Sequence, residues 1–600
     1  MRIALLTEGG YPYVNGDAGL WCDRLVRGLR RHEFDVYALS RSRRQEDEGR
    51  IPLPPQVARV RTAPLWTAED DGVLYGRRAR RRFAECYDAL ASAVCAAGPV
   101  GAPAESSATE ADRFSTFADA LYGLAELARD EGGLVGALRS ETAVRALERA
   151  CRAPGADRAA REARVPDLLA VAAHLERALR PLSLDWYEDD GLGAADLCHA
   201  TSGAAALPGL LAGHFHGVPL LVTEYGVQLR SHYLTAGEAP PAVRSLLAAF
   251  HGGLAAETYR RAAVITPGNT HARRWQERCG ADRAKLRTVY PGMDAGPFAE
   301  VGEAPEDADP DTLVWVGRVE PAKDIVSLLH AFAEVRKEEP RARLRVVGAP
   351  AGPEGEAYLG HCRVLAAQLF PDEADGPHSV GANPVSFEEI GGPELPTPAD
   401  AYASGAVVVL SSVVEGFPVS LVEAMLCGRA TVSTDVGAVV EVIGGTGLVV
   451  PPRNPRALAE ACVALMRDPE RRERLGAAAR ARALELFTVE QNVAAFHGIY
   501  LEIVSHTPVR RVVLDDAGDP LPFAAPAESH VPGRWTDPTA RLVARGGPGW
   551  AMPDAAPVPV AAAAPARARA FGPGSGPGSA RASASGSASA SVPASAREGA

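Results

Sequence analysis

The sequence has no uninterrupted apolar run near the roughly 20 residues that a membrane-spanning helix requires. Hydrophobic residues nevertheless make up 46% of its 600 residues, enough for sizeable cores. The opening residues, MRIALLTEGG, turn polar too soon for a signal peptide and predict a first β-strand. These absences predict a soluble, cytoplasmic protein, and they leave peripheral attachment at the inner face of a membrane open.

Positive charge is in deficit, and the cysteines follow no metal-binding or disulfide pattern. The formal net charge of −12 argues against a general nucleic-acid-binding protein, although it permits a local basic pocket for a phosphate. The nine cysteines form no CxxC motif and no evenly spaced framework. Cys22, Cys198 and Cys427 lie in segments that we predict to be buried, which indicates small apolar residues in a reducing compartment.

The sequence does contain two successive α/β patterns. In residues 1–300, apolar runs such as RIALLTE, DVYALS and AAVITPG alternate with helical patterns, which predicts a parallel sheet. Residues 80–180 are rich in Ala, Arg and Glu at helical spacing, so we predict a helical insertion around an ill-ordered GPVGAPAESSATE segment. After the acidic linker EVGEAPEDADPD, a second α/β pattern runs over residues 305–505.

The last part of the chain, residues 506–600, is rich in Pro, Ala, Gly and Ser. Such a composition cannot bury enough apolar surface to fold, so we predict a low-complexity, largely disordered tail. The two preceding patterns predict two doubly wound domains, whose ligand cleft lies between the carboxyl ends of their strands.

Two glutamates lie close together in SSVVEGFPVSLVEAMLCG, residues 411–428. The preceding GAVVVLS predicts a buried strand, and Pro418 and Gly428 predict the first turn and the end of a helix. Glu415 would then lie on the turn, and Glu423 about one and a half turns into the helix. Both carboxylates would line one edge of a crevice. The alternative is an N-terminal charge partner and a solvated helix residue.

An arginine and a lysine flank the first turn of the second α/β pattern. In VWVGRVEPAKDIVSLLHAF, a strand is predicted to end at Gly317–Arg318 and a helix to begin near Lys323. Two cations beside the amides of a helix start predict a pocket for a diphosphate. The alternative is a surface pairing of these cations with Glu320 and Asp324.

A glycine-rich loop, TEGGYPYVNGDAGLW, follows the first predicted strand. Gly16 and Gly19 would let the backbone approach a phosphate or a sugar, with Asp17 as a candidate N-cap of the next helix. The loop lacks the GxGxxG spacing of a dinucleotide site. A tight βα turn is the alternative interpretation.

The motifs together resemble a known family. GRVEPAKD and EGFPVSLVEAMLCGRATVSTDVGAVVEVI resemble the glycosyltransferase family 4 pattern, over residues 290–500. The segments RIALLTEGGYPYVNGDAGLWCDRLVRGL, HATSGAAALPGLLAGHFHGVPLLVTEYG and ITPGNTHARRWQERCGADRAKLRTVYPGMD look like its PelF-type branch, soluble transferases of exopolysaccharide synthesis. The resemblance implies a GT-B fold of two facing Rossmann-like domains. The chain departs from the branch at Gly16-Asp17, where Gly-Gly is usual, and at Tyr225, where the usual motif is TEHG.

The resemblance also implies roles for individual residues. Arg318 and Lys323 would hold the nucleotide diphosphate, Glu415 would contact hydroxyls of the transferred sugar, and Glu423 would contact the ribose hydroxyls. Enzymes of this family retain the anomeric configuration and need no metal ion, and no DxD motif lies at a suitable strand end to bind Mg²⁺. A backbone wall along the donor would be formed by Gly416, Phe417 and Pro418.

Several residues of the first domain are weaker candidates. His199 in CHATSG resembles a family position at a strand end on the acceptor side, and a hydrogen-bonded core histidine is the alternative. Glu224, with Tyr225 beside it, also lies at a strand end, where it would orient an acceptor hydroxyl or form a structural pair. A helix face and a structural turn explain the remaining charged positions, which are Arg260, Arg261, the HARR segment 271–274 and Asp294.

The sequence therefore predicts a retaining glycosyltransferase that needs neither a cofactor nor a metal. Its substrates would be a nucleotide sugar, foremost UDP-glucose, and a polysaccharide or other glycan acceptor. A membrane polysaccharide synthase complex is left open as a partner, and no nucleic acid is expected. The alternatives are a small-acceptor transferase of the inositol-phosphate or sucrose type, a non-catalytic nucleotide-sugar-binding subunit, and a nucleotide-sugar epimerase.

Overall fold

The computed structural model describes most of residues 1–521. The gaps within that range are 14–16, 69–70, 97–106, 189, 236, 238, 304–307, 372–382, 393–394, 510–512 and 515–519. Gly16, most of the GPVGAPAESSATE segment and the predicted tail from residue 522 onward therefore lie outside the described residues. None of the described helices is long and apolar enough to cross a membrane.

The first sheet has six parallel strands in the order β3-β2-β1-β4-β5-β6. Its strands are β1 (Arg2–Glu8), β2 (Glu33–Ser40), β3 (Val57–Pro64), β4 (Leu197–Ala200), β5 (Leu220–Glu224) and β6 (Val264–Pro267). The helices of this half are α1 (Asp17–Gly28), α2 (Arg43–Asp47), α3 (Arg77–Cys95), α4 (Ser107–Glu131), α5 (Leu134–Leu138), α6 (Glu141–Arg152), α7 (Arg158–Arg161), α8 (Val165–Leu179), α9 (Ala206–His216), α10 (Gln228–Thr235), α11 (Pro241–Arg261) and α12 (Thr270–Arg278). The helices α3 to α8 fill the long connection between β3 and β4, where the sequence predicts helices.

The second sheet repeats the doubly wound plan in the order β12-β11-β10-β7-β8-β9. Its strands are β7 (Thr312–Val316), β8 (Arg343–Val347), β9 (Val385–Glu388), β10 (Val407–Leu410), β11 (Ala430–Thr434) and β12 (Leu448–Val450). The helices are α13 (Ala299–Glu303), α14 (Ile325–Glu338), α15 (Gly352–Leu369), α16 (Pro398–Ala403), α17 (Val419–Leu426), α18 (Val439–Ile443), α19 (Pro455–Met466), α20 (Pro469–Leu486) and α21 (Val489–His506). A short antiparallel pair follows, formed by β13 (Val513–Leu514) and β14 (Pro520–Leu521).

Continuous apolar runs explain the central strands of both sheets. The side chains of Val407–Leu410 in β10 are all buried, as expected for a parallel strand that is covered on both faces. The edge strands β3 and β9 were not predicted, because their residues are only partly buried and their sequences mix charged with apolar positions. Polar edge strands are common, since an exposed apolar edge would invite pairing with other chains.

Helix α21 packs on the first sheet, whereas the sequence analysis grouped its residues with the second domain. Its buried Phe496, Tyr500 and Ile503 share one apolar cluster with Leu5 of β1 and Trp21 of α1. The 3.6-residue period of a helix identifies an apolar face but not the sheet that the face covers. Helix α21, at the end of the second α/β pattern, therefore belongs to the first half of the structure.

The chain consequently passes between the two halves twice. The outward crossing includes Met293, and the return crossing includes Thr488, and these two residues form a parallel β-bridge. The Met293 amide donates to the Phe487 carbonyl at 2.7 Å, and the Val489 amide donates to the Met293 carbonyl at 3.1 Å. The two crossings therefore run side by side.

Candidate functional site

The candidate site begins at the carboxyl ends of β7 and β10, which are neighbours in the second sheet. After β7 the chain forms a short 3₁₀ turn, Pro321–Lys323, before α14 begins. The Ser411 hydroxyl, just after β10, donates to the Lys323 carbonyl at 2.7 Å, and the Val413 amide donates to the Ala322 carbonyl at 2.9 Å. These bonds hold the two strand ends together as one edge.

Lys323 and Glu415 form an ion pair at this edge. Nζ of Lys323 lies 2.7 Å from Oε2 of Glu415, and only 14% and 12% of the two side chains are exposed. The hydroxyl of Ser412 donates to the same Oε2 at 3.0 Å. A charged pair that is so largely buried and bonded to a hydroxyl is held in one geometry, unlike an exposed pair. The sequence analysis chose both residues but did not predict their contact.

Asp324, next to Lys323, caps a helix and does not form the surface ion pair that the sequence analysis considered. Its side chain accepts from the Ser327 amide at 3.2 Å and caps α14. Asp324 has φ of 48°, a left-handed conformation that Asp tolerates better than most residues. Helix α14 begins two residues after Lys323, and its start carries a partial positive charge.

Arg318 follows β7 directly and is exposed. Among the residues that the structure describes, its guanidinium has neither a hydrogen bond nor an ion pair. It therefore differs from Lys323, which is on the same turn but is half-buried and paired. The connection between β7 and α14 therefore carries one paired cation, Lys323, and one without a partner among the described residues, Arg318.

Glu423 lies on α17, on the far side of the Gly416–Pro418 turn. The hydroxyl of Tyr402 donates to its Oε2 at 2.7 Å, and Tyr402 is completely buried. Pro418 precedes the first residue of α17 as its N-cap, rather than occupying the first turn. Gly416 faces open space, because a Cβ placed there would meet no atom within 4 Å.

Phe417, within this turn, packs against two aromatic rings. Its ring packs against Tyr290 at 6.5 Å and Phe487 at 5.8 Å between ring centroids. Gly437, which the sequence analysis did not select, also shapes the turn. It has φ of 56°, and a Cβ there would clash with the backbone carbonyl of Glu415. The sequence does give one indication of this role, because Gly437 follows the buried strand β11 in a loop where a glycine often marks a tight turn.

Arg230 is a second residue that the sequence analysis missed. It lies on α10 of the first half, and its Nη2 donates to the Glu415 carbonyl at 3.2 Å. Burial lowers the pKa of the Arg230 guanidinium, while the charge of Glu415 raises it. The lone arginine in EYGVQLRSH gives no sign of this contact, which spans 185 residues of sequence.

Further contacts join the two halves next to this edge. Glu441 on α18 accepts from the Thr270 amide at 2.6 Å and from the Tyr290 hydroxyl at 2.9 Å. Each half therefore contributes polar groups to the space between the carboxyl ends of the two sheets. This arrangement matches the cleft position that the doubly wound pattern predicts.

His199 is located in the core, not in the cleft. It has no exposed surface, and its Nδ1 and Nε2 lie 2.7 Å from the Tyr500 hydroxyl and from Oγ1 of Thr223. Burial lowers the pKa of His199 to about 3, so the imidazole is neutral at pH 7. Because both nitrogens have partners within the protein, the structure favours the core-histidine interpretation.

Glu224 is likewise enclosed. It is 2% exposed and accepts from the Tyr259 hydroxyl and, at 3.2 Å, from Nε2 of Gln276. Burial raises its pKa, whereas the hydrogen bonds, including those from the Gln228 and Gly203 amides, act in the opposite direction. These contacts make Glu224 a structural carboxyl at the end of β5.

Tyr225, one of the two departures from the branch pattern, points to α21. Its hydroxyl accepts from Nδ2 of Asn492 at 3.2 Å, and its ring packs edge-on against Trp21 at 5.1 Å. Asn492 in turn accepts from Nε1 of Trp21 at 3.1 Å. The tyrosine therefore joins β5, α1 and α21. At Gly19 of α1, an added Cβ would lie 3.6 Å from the Tyr11 amide nitrogen and from the Tyr13 carbonyl oxygen, so the backbone of the preceding loop packs against this glycine.

Arg260, Arg261 and Asp294 have the structural roles that the sequence analysis gave them. Arg260 and Arg261 pair with the buried Glu257 on their own helix, α11. Asp294 accepts from the Gly296 amide at 3.0 Å in a turn. Within the described residues, no group of three His, Cys, Asp or Glu side chains is arranged to hold a metal ion.

Two family models match the chain. Residues 310–468 match the glycosyl transferases group 1, and residues 1–284 match a domain of unknown function (DUF3492). A D-inositol 3-phosphate glycosyltransferase from Kineococcus radiotolerans is 32% identical over 313 residues, covering 48% of this chain and 67% of that protein. A protein of the same name from a Nocardioides species is 29% identical and covers 52% of this chain and 68% of its own length.

A solved structure agrees at the level of the fold. Sucrose-phosphate synthase from Thermosynechococcus elongatus aligns with a TM-score of 0.50 and 17% identity, over 84% of this chain and 99% of that chain. The predicted GT-B fold is thereby confirmed, and the sequence matches make the protein a glycosyltransferase. The chain belongs to the group 1 glycosyl transferases. These matches bear on the family and the fold, and the PelF-type branch stays a prediction.

Proposed function

We propose that the protein transfers a sugar from a nucleotide sugar to an acceptor hydroxyl, with retention of the anomeric configuration and without a metal ion. UDP-glucose is the donor that we propose first. The observation that carries the proposal is the Lys323–Glu415 pair, held at the carboxyl edge of the second sheet beside the free cation Arg318.

The cations suit a leaving diphosphate. When the bond to the sugar breaks, negative charge develops on the diphosphate, and preorganised cations and helix amides stabilise that charge. Lysine carries three N–H donors, and Lys323 uses one of them on Glu415, so the others are available to phosphate oxygens. Arg318 adds a planar group that can bind two phosphate oxygens at once. In this proposal the protein itself supplies the positive charge.

The carboxylates suit the hydroxyls of the donor. Glu415, fixed by Lys323 and Ser412, would accept hydrogen bonds from the transferred sugar. Glu423, fixed by Tyr402, would do the same for the ribose. The open side of Gly416 would let the donor pass close to the backbone between them.

For the acceptor we propose a glycan, as in the PelF-type exopolysaccharide transferases that the first 300 residues resemble. A membrane synthase complex would then be the partner. A small acceptor is the second candidate, and it is favoured by the relatives named D-inositol 3-phosphate glycosyltransferase. Those relatives match only about half of this chain, so the acceptor side is where the two candidates differ most.

Release of free nucleotide tests the proposal. Wild type and Glu415→Gln are incubated with UDP-, GDP- and ADP-sugars in the presence of EDTA, with mono- and oligosaccharides as acceptors. We expect one donor, UDP-glucose, to turn over despite EDTA. We expect the variant to lose about ten- to a hundredfold in kcat/KM, since a hydrogen bond to a charged group contributes about 1.5–3 kcal/mol.

A matched control is available in the same half. Glu334 pairs with Lys337 on the exposed face of α14, and Glu334→Gln removes the same charge far from the edge. We expect this control to retain wild-type turnover. Dependence of turnover on an added divalent ion would refute metal independence, and an unchanged rate in Glu415→Gln would refute the assignment of the site.

A further inference from the structure

A second cavity, distinct from the Lys323–Glu415 edge, lies over the carboxyl edge of the first sheet. Its volume is about 120 Å³, and its floor includes Glu8 at the end of β1 and Glu224 at the end of β5. Helices α8 and α11 contribute its roof. Since one water needs only about 10–15 Å³ by such a measure, the cavity has room for a group the size of a monosaccharide.

Three polar side chains that line the cavity lack hydrogen bonds among the described residues. Thr258 has no exposed surface, and its Oγ1 has no partner. His251 is 9% exposed and packs edge-on against His174 at 5.2 Å, but neither imidazole forms a hydrogen bond. A fully buried polar atom without a partner, such as Oγ1 of Thr258, is rare in native proteins because it costs free energy. The two half-buried to buried imidazoles add further donors and acceptors that the described part of the protein leaves unused.

A free cation marks the rim of the same cavity. Arg177 of α8 is exposed, and no described residue forms an ion pair or a hydrogen bond with its guanidinium. The two carboxyl groups of the floor are already engaged. Glu8 pairs with Arg41 at 3.0 Å, and Glu224 is bonded to Tyr259 and Gln276. The unsatisfied charge at this cavity is therefore positive.

The rest of the wall is apolar. Leu65, Leu207, Phe250 and Leu254 line it. Burial, with His174 and His232 nearby, lowers the pKa of His251 to about 3, so its ring is neutral at pH 7 and supplies one N–H donor and one acceptor nitrogen. Such a mixture of apolar wall and a few convergent polar groups is typical of small-molecule sites.

We infer that this cavity binds a compact ring that carries hydroxyl groups and one anionic group. The anion would lie against Arg177, the hydroxyls would bond to His174, His251 and Thr258, and the apolar face of the ring would pack on Phe250. Together with the proposed function, on which this step rests, the ligand is the acceptor or its terminal residue. A sugar phosphate and the uronate end of an acidic glycan share this chemistry.

Calorimetry on the full chain tests the inference with three probes, which are glucose 6-phosphate, glucuronate and neutral methyl glucoside. We expect at least one anionic probe to bind and methyl glucoside to bind at least tenfold more weakly. Arg177→Gln should weaken the anionic probe about tenfold or more, since the lost bond is charge-assisted. Thr258→Val, which preserves the shape, should weaken it about fivefold.

Arg161→Gln is the matched control, because Arg161 is exposed on α7 and does not line the cavity. Binding of the phosphate alone indicates a small phosphorylated acceptor, and binding of the uronate alone indicates an acidic glycan end. Absence of all binding, or equal binding of the anionic probes in Arg177→Gln, overturns the inference. UDP-glucose binding is measured on the same wild-type sample. Absence of UDP-glucose binding would overturn the proposed function instead.

Discussion

Two glutamates at strand ends, Glu415 in the second half and Glu224 in the first, have opposite surroundings. Glu415 is paired with the ammonium of Lys323 and retains some exposure. Glu224 is almost fully buried, and its partners are a phenol, an amide and backbone N–H groups, all of them neutral. Both residues lie at the edge of a sheet where ligands bind in doubly wound folds.

The comparison shows that position at a strand end does not by itself define a functional carboxylate. Glu415 is held by Lys323 and Ser412 and lies beside the open turn at Gly416. Burial disfavours the charged form of Glu224 and raises its pKa. Its carboxylate already accepts hydrogen bonds from Tyr259 and Gln276. We therefore expect Glu415, and not Glu224, to be available to a substrate.

The largest expected effect follows from making the two carboxylates alike. Lys323→Gln replaces the cation at Glu415 with a neutral amide, so the charge for the diphosphate is lost as well. We expect kcat/KM for nucleotide-sugar turnover to fall about 10²–10³-fold, the range for removal of one preorganised donor. Lys337→Gln, at an exposed pair on α14, should leave turnover unchanged. Equal losses in the two variants would contradict the comparison.

Gly203→Ala tests the enclosure of Glu224. A Cβ at this position would clash with Oε1 of Glu224, which cannot move without losing its buried partners. We expect a loss of about 3 kcal/mol in the free energy of unfolding, measured by urea denaturation. Gly360→Ala on α15 has no atom within 4 Å of the new Cβ, and it should stabilise slightly because Ala favours helices.

Glu224→Gln tests the charge state of the buried carboxyl, with an expected loss of about 1 kcal/mol at low pH. The raised pKa means that wild-type Glu224 contributes its full stability below the pKa of the unfolded state and loses it as pH rises through the folded value. Urea denaturation between pH 4 and pH 8 should therefore show that the difference in the free energy of unfolding between wild type and Glu224→Gln shrinks as pH increases. A difference that does not vary with pH would contradict a raised pKa.

The smallest expected effect concerns the tail. The described partners of Glu415 and Glu224 all precede residue 416. Deletion from residue 520 onward should thus change the free energy of unfolding by no more than about 0.5 kcal/mol. It should also leave UDP-glucose binding unchanged. Calorimetry and urea denaturation of the truncated chain check this, and loss of either property would assign the tail a structural role.

Much of the fold followed from local sequence, because buried parallel strands are written as apolar runs. RIALLTE coincides with β1, and GAVVVLSS contains β10. The same logic located Glu415 after a strand and Glu423 inside a helix. It failed for β3 and β9, whose side chains are partly exposed at the sheet edges and thus lack a continuous apolar run.

Long-range contacts could not be predicted in this way. The bond from Arg230 to the Glu415 carbonyl and that from His199 to Tyr500 join residues 185 and 301 positions apart. Nothing in the local pattern distinguishes a histidine at a cleft from one that is hydrogen-bonded in the core. Tyr225 is similar, because its partner Asn492 comes from a helix that the sequence analysis grouped with the other half.

The paired crossings at Met293 and Thr488 have a mechanical consequence. Because a β-bridge joins them, we expect the two segments to bend together rather than separately. Paired crossings of this kind would favour rotation of one half relative to the other over sliding of the two sheets. We expect such a rotation to change the distance between Arg230 and the Glu415 turn, which a hydrogen bond joins in this structure.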